Sequence, residues 1–215
     1  MHFFMYIIVA AAAYFIGSFS PSIFLSKHFL GGDVRREGSG NAGATNMARV
    51  FGMGMGVVTL LGDMLKALFA VWLGWKLLGQ WGIFVSGAAC LTGHCFPVLH
   101  HFKGGKGVSV GAALALAIDW RVLAIIAAVF LLGALISRKV SVGSVLAALS
   151  IVGAAIYVGA DLPCLLLSIF GMVLVTLRHH ENIARVFKGT EPDFKAGRAR
   201  RLRFGKKASD KAEKR

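Results

Sequence analysis

Charge is the scarcest property of this chain. Asp, Glu, Lys and Arg make up 16% of its 215 residues, where soluble domains carry about 25%. That shortfall excludes a soluble globular body. Hydrophobic residues reach 56%, the mean hydropathy is +0.69, and long runs hold no charge, so the chain belongs with polytopic membrane proteins. No room is left for a second, soluble domain. Cysteine is also sparse. Cys90, Cys95 and Cys164 all sit in apolar segments and form no CxxC pair. Neither a disulfide framework nor a zinc site is suggested, and core packing or lipid contact is expected. No A-x-A-type cleavage site follows the first apolar run, which starts at Phe3 and has no basic residue ahead of it. We read it as a retained first span and not as a signal peptide. No internal repeat is visible.

The charge that is present is unevenly placed. The net charge is +14, and thirteen of the 24 Lys and Arg residues lie from Arg178 onward. A basic tail after a last span faces the cytoplasm and meets anionic lipid headgroups. Membrane lipids are the expected partner, and nucleic acid is not. Residues 1–192 read as the membrane domain and 193–215 as a basic tail, with disorder expected after about Gly197.

Seven apolar stretches can be marked, at about 3–26, 54–78, 82–99, 107–118, 121–137, 142–159 and 162–178. The fold expected is therefore all-α and polytopic, with about seven transmembrane helices. The fourth stretch is short for a hydrocarbon core of about 30 Å, and it meets the fifth at the charged break Asp119–Trp120–Arg121. Five full spans plus one short hairpin across 107–137 is the alternative count. Parity is the same in both. With the N-terminus outside and the C-terminus cytoplasmic, 21 basic residues fall inside and only Arg121 falls outside. Lys66 and Lys76 lie within the second span. The reverse orientation violates the positive-inside rule almost everywhere.

This topology gathers three polar patches on one face. The first is GSGNAGATN, Gly38 to Asn46. It has no aliphatic residue larger than Ala, so it cannot build a core. Glycine loops with hydroxyl and amide side chains turn backbone N–H groups toward one point and bind anions, phosphate above all. Gly38, Ser39, Gly40, Asn41, Gly43, Thr45 and Asn46 are candidates, with Arg49 one helical turn on. The second patch, FKGGKGVS, adds Gly104, Gly105, Lys106 and Gly107. Neither loop is a Walker A motif; in the second, Gly107 stands where Ser or Thr is required and the upstream glycine is missing, so ATP hydrolysis is not expected. The third is RHHENI, where His179 and Asn182 share a face if the last span continues as a helix. His179 is the natural proton handler near neutral pH. Glu181 is the motif's acidic candidate for substrate binding. Ser141 and Ser144, in the first turns of the sixth span, form a weaker anion site, and simple capping explains Ser141 equally well.

Two further features have bland readings. Asp63 and Lys66 lie at i and i+3 inside the second span, where isolated charges are expensive, and a structural ion pair is expected. His28 and Asp33 match an H-x4-D acyltransferase pattern without its flanking residues, and we set that pair aside. On residues alone, a membrane enzyme and a transporter of an organic phosphate remain open.

GSGNAGATN, KGGKGVS and RHHENIARVFKGTE, with GDMLKA and SRKVSVGS, resemble the motifs of the bacterial acyl-phosphate glycerol-3-phosphate acyltransferases, the PlsY family. The resemblance runs from the first span to about Glu191. It implies an inner-membrane enzyme with a cytoplasmic active site and no cofactor or metal. Such an enzyme moves a fatty acyl group from acyl phosphate to the 1-hydroxyl of sn-glycerol 3-phosphate, giving lysophosphatidate and phosphate, the first step of phospholipid biosynthesis. A soluble enzyme that makes acyl phosphate is the implied partner. Matched position by position, Ser39 would bond a phosphate or the reacting hydroxyl, and Arg49 and Lys106 would clamp phosphate. Asn41, Thr45, Asn46 and the loop glycines would shape the nests. His179, oriented by Asn182, would position or deprotonate the hydroxyl, with a donor phosphate oxygen as the alternative base.

Overall fold

Each of the seven apolar stretches folds as helix. The computed structural model describes residues 2–197, and every regular element among them is helical. The expected disorder after Gly197 lies outside the described residues. The first stretch is broken in two. Helix α1 (His2–Ser18) stops where Ser20 caps α2 (Pro21–Phe29), its hydroxyl accepting from the Ile23 N–H at 3.4 Å. Pro21 sits at the first turn of α2, where its missing N–H costs nothing. A 3-10 turn (Val34–Arg36) and α3 (Ala44–Phe51) then bracket the first glycine loop.

Helix α4 (Met53–Cys95) is not one rod. Gly79 has φ 62° and ψ −145°, a backbone region open essentially to glycine alone. Across it, a Cβ on Gly74 would overlap the Ser86 hydroxyl. In a continuous helix these two residues would lie roughly 18 Å apart. The limbs 53–78 and 80–95 therefore run back along each other, as the separate stretches at 54–78 and 82–99 required. The second limb also packs on α1 through glycines. Gly17 meets the Cys90 backbone and Gly93 meets that of Tyr14. Small residues let backbones approach where lipid supplies no hydrophobic drive.

Helix α5 (Val108–Ile118) has 11 residues, too few to cross a membrane alone. Asp119 ends it and caps α6 (Trp120–Ser137), accepting the Arg121 N–H at 2.7 Å. Helices α7 (Val140–Tyr157), α8 (Leu162–Arg178) and α9 (His180–Phe187) follow, and α8 and α9 are bent by 57°. By length and composition four segments can cross a membrane, or five if α8 and α9 count as one span. The α4 hairpin counts once in that tally and short α5 not at all. The outer surface is lipid-like. Phe3, Leu65, Leu135 and Ile136 are exposed, as are all four tryptophans. All three cysteines are buried and free.

The turns sort to two ends. Gln80, Asp119, Gly159 and Asp161 line one shallow cavity with Trp72 and Trp75. The two glycine loops, the α6–α7 turn and the α8–α9 bend gather at the other end.

Candidate active site

Asn46 is the key to the first loop. It is buried, and its amide is fully used. Its Oδ1 accepts the Ser39 N–H at 2.9 Å, and its Nδ2 donates to the carbonyls of Val34 and Glu37, both at 3.0 Å. The helical start at Ala44 fixes Asn46, and Asn46 folds the loop back over it. Ser39 is left on the exposed rim, while Arg49, a turn further along α3, is half-buried. Arg49 has no carboxylate partner among the described residues.

The second loop is pressed flat against the end of α4. The Gly105 N–H donates to the His94 carbonyl at 3.1 Å, and Arg178 holds the Gly105 carbonyl through Nε and Nη2 at 3.4 and 3.3 Å. A Cβ on Gly105 would overlap the His94 ring at Nε2. Only glycine fits. Gly104 is wedged in the same way against the His94 carbonyl and Pro97. These two glycines thus serve close packing. Lys106 projects from this fixed backbone, and its ammonium donates to the Asn182 Oδ1. Burial, with the charge of Arg185 nearby, pushes the Lys106 ammonium below the usual lysine range.

The third patch does not continue α8 as a straight helix. The chain turns at His179, and this bend brings both His179 and Asn182 inward and buries them. The Nδ1 of His179 lies 2.8 Å from the Val175 carbonyl. A carbonyl only accepts, so Nδ1 carries the proton in the neutral ring and Nε2 is the free base. Asn182 donates through Nδ2 to Glu191 at 2.7 Å.

Glu191 was missed as a site residue. It also accepts from Ser141 at 2.6 Å and from Arg185 Nε at 2.7 Å. Burial opposes its ionisation, but these three hydrogen bonds outweigh burial and hold it below the usual carboxylate range. An anion does sit by the start of α7, and it is the chain's own. Ser141 is spent on Glu191 and is not a cap, and Ser144 donates to the Val140 carbonyl at 2.9 Å. Glu181 points away. It is exposed and lies 4.0 Å from Arg185. His28 and Asp33 are no dyad, since His28 bonds the Phe24 carbonyl while Asp33 pairs with Arg35 at 2.8 Å and Lys27 at 3.5 Å.

One cavity of about 820 Å³ joins these parts, within the range of small-molecule sites. Ser39, Asn41, Gly43, Thr45, Asn46, Arg49, Lys106, Gly107, Ser141, Ser144, His179 and Asn182 all line it, with Arg185 and Glu191. Gly38, Gly40, Gly104, Gly105 and Glu181 do not. His94, Ser109 and Ser168 also line it, and its remaining walls are mainly apolar: Val57, Leu60 and Met64 of α4, Leu123, Ile126, Phe130 and Leu131 of α6, and Ile151 of α7. The cavity can therefore hold an amphiphile, with anionic groups among the cations and a hydrocarbon chain between the helices. Residues 193–197 lie along its rim. Asp193 pairs with Lys139 at 2.9 Å, and Gly197 donates to the Ala48 carbonyl at 3.0 Å. No group of three His, Cys, Asp or Glu residues that could hold a metal occurs among the described residues.

Residues 7–189 match the family model for glycerol-3-phosphate acyltransferase. Curated relatives with that name include one from Finegoldia magna, 38% identical over 89% of this chain and 97% of its own. Another, from Trichlorobacter lovleyi, is 40% identical over 86% of this chain and 96% of its own. The solved structure of PlsY (YgiH), an integral membrane glycerol 3-phosphate acyltransferase, in its glycerol 3-phosphate form, superposes with a TM-score of 0.83. That pair is 33% identical and covers 88% of this chain and 96% of the other. The lysophosphatidic acid form gives 0.81 at 32% identity.

Proposed function

The chain belongs to the glycerol-3-phosphate acyltransferase family, and from that premise we propose that it moves a fatty acyl group from acyl phosphate to the 1-hydroxyl of sn-glycerol 3-phosphate. Lysophosphatidate and inorganic phosphate are the products. The observation that carries this reading is the single cavity that is cationic and hydroxyl-lined in one part and apolar in the other. Both substrates carry a phosphate and one carries a long chain, so one amphipathic cavity fits them together. The solved neighbour's glycerol 3-phosphate and lysophosphatidic acid forms support it.

The chemistry asks little of the protein. Acyl phosphate is a mixed anhydride with phosphate as leaving group, so no acyl-enzyme is needed. The glycerol 1-hydroxyl oxygen attacks the acyl carbonyl, the bond from the carbonyl carbon to the phosphate oxygen breaks, and its electron pair leaves with phosphate. The hydroxyl proton goes to Nε2 of His179. Arg49 and Lys106 grip phosphate, and Ser39 donates from the rim. Asn182 links Lys106 to Glu191, which fixes the ammonium while keeping its charge for the substrate. Alignment and charge stabilisation supply the rate.

Purified protein in detergent tests this directly. With palmitoyl phosphate and labelled glycerol 3-phosphate, lysophosphatidate is expected without CoA or acyl carrier protein. Equal rates with purified palmitoyl-CoA would overturn the donor. No product from either donor would overturn the enzyme and favour a transporter.

The cytoplasmic side is the proposed address of the motif end, supported by 21 inside basic residues against one outside, and the acyl phosphate is proposed to come from a soluble enzyme on that side. Lys103 and Lys188 are exposed at that end. In a cysteine-free background, Lys103→Cys and Lys188→Cys are expected to resist an impermeant thiol reagent in intact cells. Labelling of either from outside refutes the orientation.

A further inference from the structure

The ion pair expected at Asp63 and Lys66 exists, at 2.9 Å, but it is not a pair alone. Lys66 also donates to the backbone carbonyls of Gly17 at 3.0 Å and Phe19 at 2.6 Å, and it lies 3.1 Å from Nδ1 of His94. That same Nδ1 is 3.3 Å from Asp63 Oδ1. The second carboxylate oxygen accepts from the Ser109 hydroxyl at 3.0 Å. Asp63, Lys66, His94 and Ser109 are all buried. The cluster thus joins α1, both limbs of α4 and the first turn of α5.

Its position relative to Lys106 is what matters. His94 and Ser109 flank the loop that carries Lys106. On one side, Gly105 rests on the His94 ring and donates to the His94 carbonyl. On the other, Ser109 lies three residues beyond Lys106 and is tied to Asp63. A pair that only offset its own burial would need neither link. Charges inside a membrane protein are costly to keep, and here the same carboxylate braces both ends of a short glycine loop. Asp63 does not line the cavity, whereas its partners His94 and Ser109 do, so it reaches the site through them.

We propose that Asp63 is a positioning residue for Lys106, acting through Ser109 on one side of the loop and His94 on the other. This rests on the phosphate-gripping role given above to Lys106.

Hydrogen exchange and kinetics test it together in the full-length protein. Asp63→Asn keeps an oxygen for Ser109 but removes the charge that holds the cluster. Ser109→Ala leaves the ion pair intact and cuts the link to α5; because Ser109 also lines the cavity, this variant is read by exchange and not by turnover, and it decides the matter if Asp63→Asn fails to insert. Amide exchange across residues 103–109 is expected to rise by about tenfold or more in either variant, and Ser109→Thr, which keeps the hydroxyl, is expected to restore it. In turnover with palmitoyl phosphate and glycerol 3-phosphate, Asp63→Asn is expected to lower kcat/KM by about tenfold or more, because a misplacement of about 1 Å can cost about 100-fold. In a Lys106→Ala background the further loss is expected to stay within about threefold, since residues acting as one unit are non-additive. Unchanged exchange in both variants, or losses that multiply in full, would overturn the proposal. An inactive wild type would count against the acyltransferase reading, and the exchange experiment would still decide this one.

Discussion

Lys106→Ala is expected to lower kcat/KM by about 10- to 100-fold. A charge-assisted hydrogen bond contributes roughly 1.5–3 kcal/mol, which converts to that range at about 1.4 kcal/mol per factor of ten. The ammonium is half-buried beside apolar walls, where its field is less screened than at an open surface. Truncation also strips Asn182 Oδ1 of its donor. Where the loss appears identifies the phosphate. A contact made equally in ground and transition states raises KM for one substrate, whereas one that strengthens on the departing phosphate lowers kcat. Lys103 is the control. It belongs to the same loop but is exposed and does not line the cavity. Lys103→Ala should change kcat/KM by less than about twofold, as a solvated surface charge does. Equal, mild effects of both substitutions in inserted protein would remove Lys106 from the site.

Ser39 belongs to the same test. Its backbone is fixed by Asn46, but its side chain sits on the exposed rim. If Ser39 and Lys106 meet one phosphate, Ser39→Ala should weaken the same step. The double variant should then lose less than the product of the singles.

The helices were legible because hydropathy is local. Each apolar stretch marks its own helix, and Gly79 falls in the gap between the expected second and third stretches, 54–78 and 82–99. The three polar loops were legible for the same reason, since each stands out from its apolar flanks. Pairings across the chain were not. Ser141 read as a cap or an anion-binding hydroxyl because its carboxylate partner lies fifty residues away. Glu191 sits in a charged stretch where one more acid carries no signal. His94 ends an apolar helix and read as nothing at all, although its ring is the surface on which Gly105 rests. Glu181 shows the opposite failure. Motif membership drew it toward the site, while the bend at His179 turned it to solvent. Gly104 and Gly105 looked like a phosphate nest, and close packing against His94 accounts for them.

The largest loss is expected at His179. In the neutral ring Nδ1 is committed to the Val175 carbonyl, so Nε2 is the one basic nitrogen available. Two amides separate its roles. In His179→Asn the amide reaches about as far as Nδ1 and can still donate to Val175, but nothing stands where Nε2 was. In His179→Gln the amide reaches about as far as Nε2 and can hydrogen-bond a substrate hydroxyl, but it cannot take a proton near neutral pH. General-base catalysis contributes about 10²- to 10⁴-fold. If Nε2 accepts the hydroxyl proton, both variants should lose at least about 100-fold in kcat, with KM for glycerol 3-phosphate little changed in His179→Gln. If a donor phosphate oxygen takes the proton instead, His179→Gln should retain activity within about tenfold, and only His179→Asn should fail. Steady-state kinetics of the two variants, on protein shown to elute and melt like the wild type, therefore distinguishes a base from a hydrogen-bonding aid at the same atom. Burial, with the Lys106 ammonium nearby, pushes the pKa of the His179 imidazole down to about 4, so the apolar walls weaken it as a base, and the first outcome requires the negative charge of the bound phosphates to offset that penalty in the imidazolium.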